Sequence, residues 1–142
     1  MTEAELLSYL TEQKLGVIGT VAADGSPQAA LIGLAATPTG ELIFDTDSRS
    51  RKHGNLLRDP RASVVLSGPG EQTVQYEGVA RLLSPEDAAF VPATDAYYAV
   101  WPDGRRRLHW QGLVYWVISP CWVRYADYNR GPLIAEFRWS DA

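Results

Sequence analysis

The sequence predicts a mainly β protein, an antiparallel barrel of about six strands with two or three short helices appended. Three observations carry that expectation. Short β-rich runs alternate with Gly, Pro and Asp turn signals, the Asp24-Gly25 pair sits between two such runs as a hairpin marker, and helical spacing appears only in brief stretches. At 142 residues, 46% hydrophobic and 21% charged, the chain is an ordinary globular one, and residues 1–142 read as a single domain.

The elements follow in order. Glu5 to Gln13 places Leu6, Leu7 and Leu10 at one-face spacing and predicts a short amphipathic helix. Gly16 to Ala23 is a β-rich run, Asp24-Gly25 turns it, and Gln28 to Thr37 returns. A turn at Pro38-Thr39-Gly40 leads into a strand over Glu41 to Thr46. A helix is expected next, capped by Asp47 or Ser48, buried through Leu56 and Leu57 and ended by Pro60. Arg61 to Leu66 is a strand, and Thr73 to Leu83 a long one with Gly78 as a bulge. Ser84-Pro85-Glu86-Asp87 has the composition of a helix start. Leu113 to Ile118 and Cys121 to Tyr125 are strands separated by Ser119-Pro120, and Leu133 to Trp139 adds a short one.

Charge is unevenly placed. Residues 1–47 carry seven acids and one base, residues 48–61 five bases and one acid, and residues 62–142 seven bases and nine acids, which sum to the net −4. Duplex binding needs a broad basic face, so nucleic acid is not an expected partner. No apolar run is long enough for a membrane span. Met1 to Tyr9 is acidic, the reverse of an export signal, and there is one cysteine, so the expected location is cytoplasmic.

The basic cluster falls in the first turn of the expected helix, where the macrodipole is already positive. An anion resolves that conflict: free backbone N–H groups, serine hydroxyls and the Arg51 and Lys52 heads together suit a phosphate. The plainer reading, a solvated helix with miscellaneous charges, is equally open on this motif alone.

The order of elements and three segments resemble the pyridoxamine 5′-phosphate oxidase-like, FMN-binding split-barrel family. The segments are GTVAADGSPQ (Gly19 to Gln28), FDTDSRSRKHGNLLRDPRASVVL (Phe44 to Leu66) and VQYEGVARLLSPED (Val74 to Asp87). The resemblance implies a six-stranded antiparallel split β-barrel with two to four short helices, FMN as cofactor, and a homodimer holding flavin in the grooves between subunits. Carried over residue by residue, it gives Thr46, Arg51 and Lys52 for the flavin phosphate and ribityl region, with Ser48 and Ser50 as further hydroxyl donors. Gln72 or Thr73 stands for the polar residue early in the long strand that reaches the flavin. Two departures stand out. The second strand lacks the family's charges, and Arg107-Leu108-His109 has the spelling of the oxidase's substrate-phosphate motif but precedes the LVYWVI strand. The implied protein is an FMN-dependent oxidoreductase acting on a small molecule other than pyridoxamine 5′-phosphate.

Other residues have structural readings beside functional ones. His53 and His109 find no third ligand at metal spacing, so no metal site is expected. Cys121 lies in an apolar strand as a small hydrophobe. Trp110 and Trp116 are core or interface residues, or flank the flavin ring together with Leu31 and Ile32. Arg105 to Arg107 is a solvated loop or a second anion contact. No catalytic residue is assigned, because a flavin supplies its own chemistry. The alternative class is a non-catalytic flavin carrier or sensor, or a deazaflavin or haem binder on the same barrel.

Overall fold

The structure, a computed structural model, describes residues 1–140. Its first hairpin forms where Asp24-Gly25 predicts it. β1 (Leu15–Val21) and β2 (Pro27–Gly33) run antiparallel, with Val17 opposite Leu31 and Thr20 opposite Gln28. Gly25 takes the turn at φ +86°, a conformation open to glycine at no steric cost. The Asp24 carboxylate accepts from the backbone and hydroxyl of Ser26. Before the hairpin, α1 (Glu3–Thr11) starts with a capping box between Thr2 and Glu5 and buries Leu6 and Leu10 completely.

The returning strand is shorter than expected. It stops at Gly33, where the Trp101 ring lies so close that a Cβ would stand 3.0 Å from it. Leu34 then drops into the core, its N–H donating to the Lys14 carbonyl, and a two-residue β3 (Ala35–Ala36) pairs with β4 (Leu42–Asp47). Leu42, Ile43 and Phe44 are all fully buried because β4 is covered on both faces. Leu42 and Phe44 face the barrel interior with Ile18, Leu56, Val64, Leu66 and Trp116. Ile43 faces a second apolar cluster with Ala93, Tyr97, Tyr98 and Tyr115.

α2 (Arg51–Arg58) follows β4 and leads to β5 (Arg61–Ser67), which lies between β1 and β6 (Gln72–Leu83). The capping residue is Ser50, not Asp47 or Ser48. Leu56 is buried as expected, whereas Leu57 is outside. Ser84 to Asp87 makes a hydrogen-bonded turn instead of a helix start; α3 begins later, at Phe90–Val100, and runs into a 3-10 turn over Pro102–Arg107.

The two strands expected on either side of Ser119-Pro120 are one strand, β7 (Leu113–Asp127). Proline interrupts a ladder because it has no N–H, and here the interruption is absorbed by a bulge. Gly78 pairs with Pro120 and Glu77 with Trp122, which leaves Cys121 as the extra residue. β8 (Leu133–Arg138) completes an entirely antiparallel sheet in the order β2-β1-β5-β6-β7-β4-β3, with β8 on the second half of β7. The sheet has eight strands: the second expected run divides into β2 and β3, the two runs around Ser119-Pro120 merge into β7, and the expected tail strand forms as β8. Among the described residues no helix is long and apolar enough to cross a membrane.

Candidate functional site

The site is built where β4 ends and α2 starts. Between them Asp47 organises a tight turn, its carboxylate accepting from the Arg49 backbone at 2.7 Å and from Arg49 Nε and Nη2 at 2.9 Å each. These bonds from Arg49 hold the Asp47 carboxyl well below the usual carboxylate range. Arg49 is thereby spent on its neighbour. Ser48 is exposed and its N–H donates to the Gly112 carbonyl, tying the turn to the segment that precedes β7.

Ser50 serves twice. Its hydroxyl accepts from His53 N–H as the helix cap and from the Thr46 hydroxyl at 3.0 Å. Arg51 and Lys52 then occupy the first two helical positions, where backbone N–H groups have no intrahelical acceptor. Both side chains border a small cavity of about 110 Å³ whose other walls are Ile18, Thr20, Gln28, Ala29 and Ala30. Among the described residues neither cation has an ion-pair partner.

What fixes α2 against the hairpin is a set of contacts that no local pattern displays. Asn55, 6% exposed, donates to Thr20 Oγ1 at 3.0 Å and to Gln28 Oε1 at 2.8 Å. Arg58 reaches the Val21 carbonyl and Asn55 Oδ1. On the inner side His53 accepts from Trp116. The two cations are therefore held over the strand edge by buried polar bonds made one turn further along the helix. Two cations, free amides and, among the described residues, no competing carboxylate form a donor set that fits a phosphate group.

The remaining expected residues fall into two groups. Trp110 is 58% exposed and joins Asp45, Thr46, Asp47, Arg107, Gln111 and Leu113 around a cleft of about 170 Å³ next to Thr46. Trp116 is 2% exposed and enclosed in the core, so its ring offers no face to a ligand. Ile32 is likewise buried, while Leu31 points outward. Gln72 and Thr73 pair with Asp127 and Ala126, at the far end of β6 from Leu83, which lies opposite Tyr115 next to β4. Gln72 donates to Asp127. Within one chain these two residues are not brought to the α2 start; the glutamine that borders the cavity is Gln28.

Of the arginine run, Arg105 and Arg106 are exposed, as a solvated segment requires, and Arg107 is the one held inward. Arg107 is paired with Asp45, and Arg105 approaches Asp95 at 3.8 Å and lies over the Tyr98 ring. Sequence reading missed Asp45, Thr20, Gln28 and Asn55. Their only advance signal is a polar residue inside a run that otherwise reads as buried strand or helix face.

The curled antiparallel sheet with appended helices defines a split barrel. The chain belongs to the pyridoxamine 5′-phosphate oxidase family, whose model, described as Pyridoxamine 5'-phosphate oxidase, matches residues 2–125. A pyridoxine/pyridoxamine 5′-phosphate oxidase from Cupriavidus metallidurans is 34% identical over 102 residues, which are 71% of this chain and 45% of that protein. The chain thus spans about half the length of the curated relatives it matches. Among solved structures, a haem-binding protein from Mycobacterium smegmatis superposes with a TM-score of 0.80 at 19% identity, covering 97% of this chain and 59% of the other. A pyridoxamine 5′-phosphate oxidase-related, FMN-binding protein from Nostoc punctiforme gives 0.71 at 16% identity, covering 95% and 85%. At such identities the likeness shows the fold alone.

Proposed function

We propose that the chain binds FMN and acts as an FMN-dependent oxidoreductase on a small molecule. The observation that carries this is the pair Arg51 and Lys52, without an ion-pair partner among the described residues and held at a helix start beside a cavity of about 110 Å³. That space suits a phosphate group. FMN would supply the redox chemistry. The protein's share is to hold the phosphate with the two cations and the opening amides of α2, and to present the ribityl region to Thr46 and Ser50. Ser48, exposed beside them, is a further hydroxyl donor.

The flavin ring is larger than the cavity and would extend beyond it toward the cleft beside Trp110. Leu31, Val17 and Val65 form an outward apolar row in direct register across β2, β1 and β5. A second copy of the chain would cover that row and would supply Gln72 and Thr73 of the other subunit; a homodimer belongs to this reading.

Haem is the second reading, favoured by the likeness to the Mycobacterium smegmatis haem-binding protein. The cation pair argues for a phosphate ligand instead. His53 is committed to Trp116, which leaves His109 on the surface as the other imidazole.

The test is the visible spectrum of the purified protein, followed by FMN titration of the wild type, Arg51→Ala and Lys52→Ala. Each loss of a charge-assisted contact is expected to cost about 1.5–3 kcal/mol, roughly tenfold to a hundredfold in affinity. Unchanged affinity in both variants would place the phosphate elsewhere. Anaerobic reduction by NADH or NADPH and reoxidation by quinones separates an oxidoreductase from a carrier.

A further inference from the structure

The segment between α3 and β7 owes its position to one carboxylate that the proposed flavin site does not use. Asp45 lies on the outer face of β4, its side chain 13% exposed, beside Thr46 in sequence and next to the apolar cluster under α3. Each oxygen has its own donor. Oδ1 accepts from the Tyr97 hydroxyl at 2.9 Å, and Oδ2 accepts from Arg107 Nε at 3.1 Å, with Nη2 also at 3.1 Å.

The triangle closes where Arg107 Nη2 donates to the Tyr97 oxygen at 3.2 Å. Burial, and then the Asp45 carboxylate, keep the Tyr97 hydroxyl far above its ordinary range, so it stays a donor. Desolvating an ion pair is expensive and seldom a net gain in stability. What this one secures is geometry. The Trp110 backbone N–H donates to the Arg107 carbonyl at 2.8 Å, and the guanidinium stands 6.0 Å from the Trp110 ring centre. On the other side, Gly112 accepts from Ser48. The backbone on either side of Trp110 is thus tied down beside the cleft of about 170 Å³, which the Trp110 side chain lines together with Thr46, the residue bonded to the cap of α2.

We propose that Asp45, Tyr97 and Arg107 are positioning residues that hold Trp110 as the aromatic wall of a flat-ring subsite contiguous with the Arg51 and Lys52 site. The identity of the ring as flavin rests on the proposed function; the latch itself does not.

Hydrogen exchange on the ligand-free protein tests the latch directly. Arg107→Ala should speed exchange of the amides of residues 107–113 by roughly tenfold or more, as loss of a charge-assisted bond implies, while β5 and β6 amides stay as in the wild type. Tyr97→Phe, which keeps the ring and removes one bond, should give a smaller change at the same amides. Unchanged exchange in both variants would overturn the latch.

Titration with riboflavin, which lacks the phosphate, and with FMN then tests the subsite. Trp110→Ala and Arg107→Ala should weaken both ligands by the same factor, and the double variant should be no weaker than the worse single one. Additive losses would mean that Arg107 does not act through Trp110. Arg51→Ala should weaken FMN alone. A wild type that binds neither flavin would remove the FMN reading and the flat-ring subsite, with the exchange result still deciding the latch.

Discussion

The Trp116 indole N–H donates to His53 Nδ1 across 3.1 Å, and the two rings meet edge-on with centres 5.5 Å apart. One residue belongs to the inner face of the barrel wall and the other to the helix that carries Arg51 and Lys52, so a neutral side-chain bond in the core sets the height of the cationic turn above the sheet. Trp116→Phe removes the donor and leaves a buried acceptor unsatisfied. The expected cost is about 1–3 kcal/mol, read from urea unfolding at unchanged m value. A change within about 0.5 kcal/mol, as at an ordinary surface position, would show that the bond adds nothing.

Two glycines should respond in opposite directions. A Cβ at Gly78 would collide with the Ser119 backbone carbonyl across the bulge, so Gly78→Ala is expected to destabilise by about 1–3 kcal/mol, as overpacking does. Gly54, inside α2, has open space around the same position, so Gly54→Ala should stabilise by roughly 0.5–1 kcal/mol. Thermal melts of the two variants beside the wild type decide it.

Acid stability should depend on Asp59. Hydrogen bonds from the Arg61 side chain and backbone lower its carboxyl to about 2, below the ordinary aspartate value of 3.8. A folded-state value below the unfolded one means the pair stabilises the fold fully above the unfolded value and loses that contribution as pH falls through about 2. Asp59→Asn should therefore flatten the fall of the urea midpoint between neutral and strongly acidic buffer. Parallel acid profiles for variant and wild type would contradict the linkage.

Assembly is checked by light scattering at low micromolar concentration. The proposed dimer should have about twice the 15.7 kDa chain mass. Leu31→Glu, which puts a charge in the middle of the outward apolar row, should yield monomers with weakened flavin binding. A wild-type monomer that holds flavin would contradict the shared-groove reading.

Where the sequence was legible, the information was local. Asp24-Gly25 specifies its hairpin by backbone conformation alone, and the polar start of α2 stands out because cations are unusual there. Where it was not, the answer lay in a distant strand. Pro120 looks like a break until Gly78 on the neighbouring strand makes room for it. Ser84-Pro85 has the composition of a helix start, yet its turn is closed by Asp87 and Glu86 side chains before a helix can begin. Trp110 and Trp116 carry equal signals in sequence and have opposite fates, because the strand alternation at Trp116 is set by its pairing with Phe44. Asp45 gave no sign of its role, since Tyr97 and Arg107 are remote in the chain.

The place of β7 has a consequence for how the chain reaches its fold. It follows every other long strand among the described residues and it is the keystone, joining β6 on one side to β4 on the other. A chain halted before Leu113 would possess two unconnected pieces, β2-β1-β5-β6 and β4-β3, each with an unpaired edge where β7 belongs. Emerging from a ribosome, the protein must keep those edges from foreign strands until Leu113–Asp127 arrives. Then one fifteen-residue strand completes both ladders at once, and the proposed phosphate site and the Trp110 latch, which meet around Thr46 at the junction of β4 with β7, come into being in that same step.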